Sequence, residues 1–110
     1  MFLARDLSNG YDAVSEAFIR VRSSTTGVAV LRKWMMTLPR AGSVLDVGAG
    51  SGEPLTAELI KAGFDVSAID ASPKMVAALQ RRFPNIEVAC EAAEDSCFFN
   101  RSFDGVLAVG

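Results

Sequence analysis

The fold of this protein is decided by the stretch Val44-Leu45-Asp46-Val47-Gly48-Ala49-Gly50-Ser51-Gly52. Its first four residues form a short apolar run with one acid, which is typical of a strand buried on both faces of a parallel sheet. The glycines that follow let the backbone turn sharply and leave no Cβ between the main chain and a ligand. Leu55, Leu59 and Ile60 come next at helical spacing. The helix that they predict would present free amides and a partial positive charge to the loop, so the stretch predicts a strand, a ligand-binding loop and a helix.

The alternation of strands and helices continues to the end of the sequence. Three more apolar runs predict strands, at residues 66–69, 86–90 and 103–109. Between the first two of these runs, Ser72-Pro73 offers a hydroxyl N-cap and a proline at the first helical position, which is a strong helix start. Strands that alternate with helices of about ten residues imply a parallel sheet with right-handed crossovers. We therefore predict an α/β fold with four parallel strands.

The first forty residues have a helical pattern instead. Residues 13–22 place Val14, Phe18 and Val21 at helical spacing, and the hydroxyl-rich residues 23–27 predict a break. Apolar residues recur at three- and four-residue steps from Val28 onwards. We expect two helices, or one broken helix, in a helical cap segment of residues 1–42. The α/β half-domain then covers residues 43–110.

The sequence ends on the fourth predicted strand, with no helix after it. The outer edge of that strand is expected to stay bare, and a bare edge is a template for pairing with another chain. We interpret the sequence as a fragment of a longer protein or as one truncated for study, and we expect that a dimer could form through the bare edge.

Composition excludes several classes of protein. The chain has 110 residues, of which 50% are hydrophobic, and no apolar run approaches the length of a membrane span. A net charge of -2 argues against a nucleic-acid-binding protein. Cys90 and Cys97 fit a reducing compartment, and no secretory signal precedes the body, so we expect a cytoplasmic protein. The absence of histidine removes histidine-based catalysis and metal sites, so no metal is expected.

Two acids near the glycine loop, residues 48–52, indicate which groups of a ligand it could bind. Asp46 stands two residues before the first glycine and offers an acceptor suited to a cationic amine. Asp70 lies 22 residues past Gly48, at the end of the next strand, where parallel packing brings it beside the loop. A carboxylate at this position can accept both hydroxyls of a ribose. Ala71 is small, and Met75 offers a soft thioether to a purine face.

These residues resemble a known family, the class I S-adenosylmethionine-dependent methyltransferases. The resemblance covers residues 43–110, about 60% of the chain, and is carried by residues 44–52, 68–75 and 93–106. It implies a Rossmann-like three-layer sandwich with strand order 3-2-1-4, preceded by N-terminal helices, as an incomplete methyltransferase fold. It also implies S-adenosylmethionine as the cofactor, and a methyl acceptor that we expect to be a small molecule.

The resemblance also assigns roles within the site. The glycine loop would cradle the methionine part of the cofactor, Asp70 would bind the ribose, and the remaining residues would line the adenine. The predicted cofactor-binding set is Asp46, Gly48, Ala49, Gly50, Asp70, Ala71, Met75, Ala93 and Glu94. Many family members carry an aspartate where this chain has Ala92. Either Glu94 or Asp95 replaces it, or backbone groups alone hold the adenine.

Several alternatives stay open. The glycine loop could be a tight turn that binds nothing, Asp70 a solvated strand end, and Glu94 with Asp95 a solvated surface. A dinucleotide-binding oxidoreductase would need the pattern G-x-G-x-x-G, whereas the third glycine here comes one residue early, at Gly52. The chain could also be a cofactor-binding or interaction module with no activity of its own. No catalytic residue is assigned, because a general base would normally come from loops that follow the fourth strand.

Overall fold

The computed structural model describes residues 18–21, 24–50, 52 and 54–109. Within these residues strands alternate with helices, and two short 3-10 turns precede the last strand. The strands are β1 (Phe18–Val21), β2 (Ser43–Val47), β3 (Asp65–Asp70), β4 (Glu87–Cys90) and β5 (Gly105–Val109). The helices are α1 (Ser24–Met35), α2 (Leu55–Lys61) and α3 (Pro73–Arg82), and the 3-10 turns are Ala93–Asp95 and Phe98–Asn100. Three parts of the sequence predictions lie outside the described residues, namely residues 13–17 and 22 of the first helix, Ser23 of the break and Ser51 of the loop.

All five strands are parallel, in the order β1-β5-β2-β3-β4. The four predicted strands correspond to β2, β3, β4 and β5, so the predicted order 3-2-1-4 is confirmed. Within this sheet Asp46 of β2 is the partner of Ala68 of β3 and of Leu107 of β5. The carboxyl ends of β2, β3 and β4 therefore lie side by side at one edge, where α/β folds bind their ligands.

The predicted helix at residues 13–22 is wrong over its last part, because Phe18–Val21 is a strand. It pairs in parallel with β5, from Phe18 opposite Val106 to Val21 opposite Val109. The sequence predicts a bare outer edge for this strand, and that prediction is wrong, because β1 pairs with the outer edge of β5. Aromatic and β-branched residues fit a strand as well as a helix, and the free backbone groups of β5 decide between them. The predicted break at residues 23–27 is also too long, since α1 begins at Ser24.

Alternation along the strands divides the core into two clusters. Leu45 and Val47 of β2 pack on one face of the sheet, with Ile69 and Val106. Val44 packs on the other face, with Leu31 of α1 and with Leu55 and Leu59 of α2. Successive side chains of a strand point to opposite faces, so Asp46 lies on the same face as Val44 and α2.

The start of α3 confirms the sequence prediction. Ser72 is the N-cap, its Oγ accepts a hydrogen bond from the backbone N–H of Met75, and Pro73 occupies the first helical position. Within α3, Val76 and Leu79 are buried. Among the described residues, no helix is long and apolar enough to cross a membrane.

Candidate functional site

The glycine loop leaves β2 and turns back beside the end of β3. Gly48 and Gly50 have φ values of 73° and 62°, in the left-handed region that favours glycine. The N–H groups of Gly48 and Ala49 both donate to the carbonyl of Ile69, at 2.9 and 3.3 Å. A Cβ built on Gly50 would meet no atom within 4 Å, so the backbone there faces open space. The loop thus presents bare main chain at the edge where the strands end.

The third glycine of the motif has a different task. Gly52 is buried, and a Cβ built on it would lie 2.7 Å from Cδ1 of Leu79 and 2.8 Å from Cε2 of Phe83. Only a glycine lets the loop approach the side chains of α3 so closely. Gly52 therefore serves the packing of α3 against the loop, while Gly48 and Gly50 shape the backbone at the strand edge.

Asp70 joins the loop to the start of α3. Its Oδ2 accepts a hydrogen bond from the N–H of Gly50 at 2.9 Å, and its Oδ1 accepts one from the N–H of Ser72, also at 2.9 Å. The predicted proximity of Asp70 and the glycine loop is therefore observed. A carboxylate has about four lone-pair sites, so acceptor capacity remains for a ligand after these two bonds.

A cleft of about 290 Å³ opens in front of these groups, close to the lower limit of volumes typical of ligand sites. It is lined by the ends of β2 and β3 and by the segment that follows β4. The lining residues are Val47, Gly48, Ile69, Asp70, Ala71, Glu91, Ala92, Ala93 and Glu94. Five of the nine predicted cofactor residues meet there, namely Gly48, Asp70, Ala71, Ala93 and Glu94.

The other four predicted residues do not line the cleft. Ala49 and Gly50 follow the lining residue Gly48 in the loop without lining the cleft themselves, and Asp46 is fully buried. Met75 is 43% exposed in the first turn of α3 and is not among the lining residues. A contact between Met75 and a purine stays a prediction, and it requires a ligand that extends beyond the cleft towards α3.

Glu91 lines the cleft and was missed by sequence reasoning. Its backbone N–H donates to the carbonyl of Asp70 at 3.0 Å, and its Oε1 accepts a hydrogen bond from Oγ of Ser96 at 3.0 Å. A usable signal was present, because Glu91 is the first residue after β4 and the ends of neighbouring parallel strands meet at one edge.

The cleft is acidic. Asp70, Glu91 and Glu94 line it, and none of the described lining residues is basic. Clustered charges of one sign focus the electrostatic field in a cleft and raise the local concentration of ligands of the opposite sign. This arrangement favours a ligand with positive charge and disfavours one that would place a pyrophosphate at the loop.

Asp46 lies beneath the loop with no exposed surface. Its Oδ2 accepts a hydrogen bond from Oγ1 of Thr56, and its Oδ1 has no hydrogen-bond partner among the described residues. The pKa of Asp46 is raised from 3.8 to about 6, because burial raises it more than the hydrogen bond from Thr56 lowers it, and the charge of Asp70 raises it further. Asp46 is thus a buried acid under the loop, and not an acceptor in direct contact with the cleft.

A parallel sheet with a glycine loop after one strand and an acid at the end of the next defines the Rossmann-like class of nucleotide-binding folds. Residues 44–110 match the family described as a methyltransferase domain, and the chain belongs to this family. Membership confirms the resemblance drawn from the sequence, and with it S-adenosylmethionine as the cofactor of the domain.

Individual relatives match different shares of the chain. An uncharacterized methyltransferase of Mycobacterium tuberculosis is 36% identical over 104 residues, which is 94% of this chain and 41% of that protein. A demethylmenaquinone methyltransferase of Chlorobaculum tepidum is 40% identical over 70 residues, covering 63% of this chain and 28% of that protein. The chain therefore spans less than half the length of these relatives.

A similar solved structure is a TehB-like SAM-dependent methyltransferase from Corynebacterium glutamicum. It is 25% identical, with a TM-score of 0.49, over 59% of this chain and 38% of that one.

The residues of the cleft fit S-adenosylmethionine, in which a sulfonium and an ammonium group outweigh one carboxylate. Three carboxylates line the cleft, and a fourth, that of Asp46, is buried in β2 two residues before the glycine loop. Open space in front of Gly50 leaves room for the ligand to approach the main chain.

Proposed function

We propose that this protein binds S-adenosylmethionine in the acidic cleft and transfers its methyl group to a small-molecule acceptor. The observation that carries the proposal is the convergence of Asp70, Glu91 and Glu94 on one cleft beside a glycine loop. Positive charge on the cofactor would be attracted to these carboxylates. The match of residues 44–110 to a methyltransferase domain supports the same conclusion.

Within this proposal each wall of the cleft holds a different part of the cofactor. The loop from Gly48 to Gly50 holds the methionine part, and the free acceptor sites of Asp70 take the ribose hydroxyls. The backbone of Ala93 and the side chain of Glu94 meet the adenine edge. Glu91 is a further candidate for the acid that Ala92 does not supply, because it lines the cleft whereas Asp95 does not.

The bound cofactor supplies an activated methyl group, and the protein's part is to hold the reactive carbon in line with the acceptor atom. The closed hydrogen-bond pattern around Asp70 contributes to this task, because it fixes the loop and the start of α3 in one arrangement. No residue of the chain is assigned as the general base.

The negative charge of the chain and of its cleft favours a small molecule over a nucleic acid as the methyl acceptor. The net charge of -2 and the acidic cleft would repel the phosphates of a nucleic acid. The Chlorobaculum tepidum relative is named for a quinone-type acceptor, which is also a small molecule. Dimer formation through the edge of β5 is not proposed, because β1 covers that edge.

Two features disfavour a dinucleotide-dependent oxidoreductase. The N–H of Gly50 donates to Asp70, so it is not free to bind a pyrophosphate. The three carboxylates of the cleft would repel such a group as well. A nicotinamide dinucleotide that bound more tightly than S-adenosylmethionine would contradict this reasoning.

Titration calorimetry of the chain with S-adenosylmethionine and with its demethylated product tests the proposal. Asp70→Asn keeps the shape of the side chain but removes its charge and one of the two oxygens that accept the N–H groups of Gly50 and Ser72, and we expect it to weaken binding by about 10- to 100-fold. Asp95→Asn is the matched control, because Asp95 is exposed and does not line the cleft. If a folded sample binds neither ligand, the cofactor site is wrong. Binding without methyl transfer would leave a cofactor-binding module.

A further inference from the structure

A hydrogen bond between two buried side chains links α2 to β2. Thr56 lies in the first turn of α2 and is 1% exposed, and Asp46 of β2 is 0% exposed. Oγ1 of Thr56 donates to Oδ2 of Asp46, and the second oxygen of Asp46 has no partner among the described residues. A buried carboxylate with one donor is an expensive arrangement, and sequence reasoning singled out Asp46 without finding Thr56.

We propose that Thr56 is a positioning residue, whose hydroxyl keeps Asp46 ionised so that the buried charge strengthens the binding of the cationic cofactor. This inference deepens the proposed function and rests on it for the identity of the ligand. It assigns no contact between Thr56 and the cofactor. Thr56 acts through Asp46, and Asp46 acts on the cleft through its charge.

Opposing effects set the ionisation of Asp46. Burial disfavours the charged carboxylate, and the hydrogen bond from Thr56 favours it. With both effects present, the pKa of Asp46 is about 6, so the carboxylate is mostly ionised at neutral pH. Removal of the hydroxyl leaves burial unopposed by that donor, and it must raise the pKa further.

Asp70 connects this buried charge to the cleft. Asp46 lies opposite Ala68 in the sheet, two residues before Asp70, which ends β3 and lines the cleft. The two carboxylates are therefore neighbours at the ends of adjacent strands, and the charge of Asp70 accordingly raises the pKa of Asp46. A positively charged ligand beside Asp70 would have the opposite effect and lower the pKa of Asp46. Coupling between two binding equilibria is reciprocal, so an ionised Asp46 strengthens the binding of that ligand by the same factor.

The other charged groups near Asp46 do not account for its raised pKa. Of the strands paired with β2, β3 carries Asp65 at its start, where it is paired with Arg101 at 3.3 Å, and Asp70 at its end, whereas β5 carries no titratable side chain. From α2, Glu58 is bonded to Arg32 on α1 at 2.7 Å, and Lys61 is exposed. Neither α2 group is a cause of the pKa shift of Asp46.

The first experiment needs no cofactor. The side-chain carboxyl of Asp46 is followed by ¹³C NMR during a pH titration of the whole chain. We expect a higher pKa in Thr56→Val than in the wild type, and a value near that of the wild type in Thr56→Ser, which restores the hydroxyl. Ser67→Ala is the control, because Ser67 is a 1% exposed hydroxyl whose bonds go to Glu87 and Arg101. An unchanged titration in Thr56→Val overturns the proposal.

The second experiment measures the dissociation constants of S-adenosylmethionine and of its demethylated product against pH. The product lacks the positive sulfonium, so its affinity should depend less on the ionisation of Asp46. For S-adenosylmethionine we expect affinity to rise as pH passes through the pKa of Asp46. In Thr56→Val the rise moves to higher pH, with affinity about tenfold weaker just above pH 6.

The outcomes separate the two proposals. If the wild type binds no S-adenosylmethionine, the proposed function fails, while the NMR titration still decides whether Thr56 controls Asp46. If both ligands lose affinity equally at every pH in Thr56→Val, Thr56 has a merely structural role. Thr56→Ala replaces Thr56→Val in both experiments if the valine variant does not fold.

Discussion

Asp46 is placed where a charge is least favourable, inside the core beneath a loop that we assign to a cationic ligand. Its pKa is raised from 3.8 to about 6, so the folded protein holds this proton more tightly than the unfolded chain does. The contribution of Asp46 to stability is therefore largest below the unfolded pKa. It falls as pH rises towards 6 and stays low above that value.

Asp46→Asn tests this sign. A shift of this size corresponds to roughly 3 kcal/mol, so at pH 8 we expect the variant to be more stable than the wild type by about 1–3 kcal/mol. Below pH 4 the gain should vanish. Urea denaturation at both pH values measures it, with Asp95→Asn as the exposed control. An equal change at both pH values would show that Asp46 is not the group that titrates.

The same variant, Asp46→Asn, should bind S-adenosylmethionine more weakly, because the buried charge is lost.

At the scale of elements, the contact between the loop and α3 is the tightest in the site. Gly52→Ala would place a Cβ 2.7 Å from Leu79 and 2.8 Å from Phe83, at a φ of 91°. We expect a loss of about 2–4 kcal/mol in the free energy of unfolding, from strain and overpacking together. Gly63→Ala separates the two causes, because Gly63 has a φ of 93° and no atom within 4 Å of a built Cβ. It should lose only about 1–2 kcal/mol. Equal losses in thermal unfolding would mean that the close packing contributes nothing.

β1 is the element that sequence reasoning placed in the wrong class, and within the described residues it pairs with one neighbour, β5. We expect the amides of Phe18–Val21 to exchange with deuterium at least about tenfold faster than those of β2, which has two neighbours. The double variant Ile19→Pro/Arg20→Pro should uncover β5, because the amides of successive residues point to opposite sides of a strand and one of the two must face β5. Hydrogen exchange should then rise in β5 and stay unchanged in β3. Full protection of β5 in this variant would contradict the pairing.

Across the whole molecule, local patterns determined most of the sheet. The apolar runs, the glycine loop and the Ser72-Pro73 start predicted four strands and their helices, and parallel crossovers then restricted the order. The strand Phe18–Val21 could not be found in this way, because it is stabilised by a partner strand more than 80 residues away. Propensity is too weak to decide a four-residue segment against such a pairing.

Site residues that lie at the ends of strands could be predicted from the sequence, whereas buried site residues were harder to predict. Asp70 follows from its position after a buried run, and the same rule would have given Glu91. The burial of Asp46 could be predicted, because Asp46 and Val44 are two residues apart in a strand and therefore lie on the same face, which α2 covers. Its partner Thr56 was not, because a threonine in a helix has no pattern of its own until the helix is docked.

The packing at Gly52 bears on how rigid the cleft is. Asp70 joins the loop to the start of α3 through the N–H groups of Gly50 and Ser72, and the space between Gly52 and Leu79 is too small for a methyl group. Glu91 to Glu94, on the other side of the cleft, follow β4, which pairs with β3, and Ala93 packs against the core beside Ile69. Both sides of the cleft are therefore built on the sheet, and we expect an incoming ligand to find a preformed site.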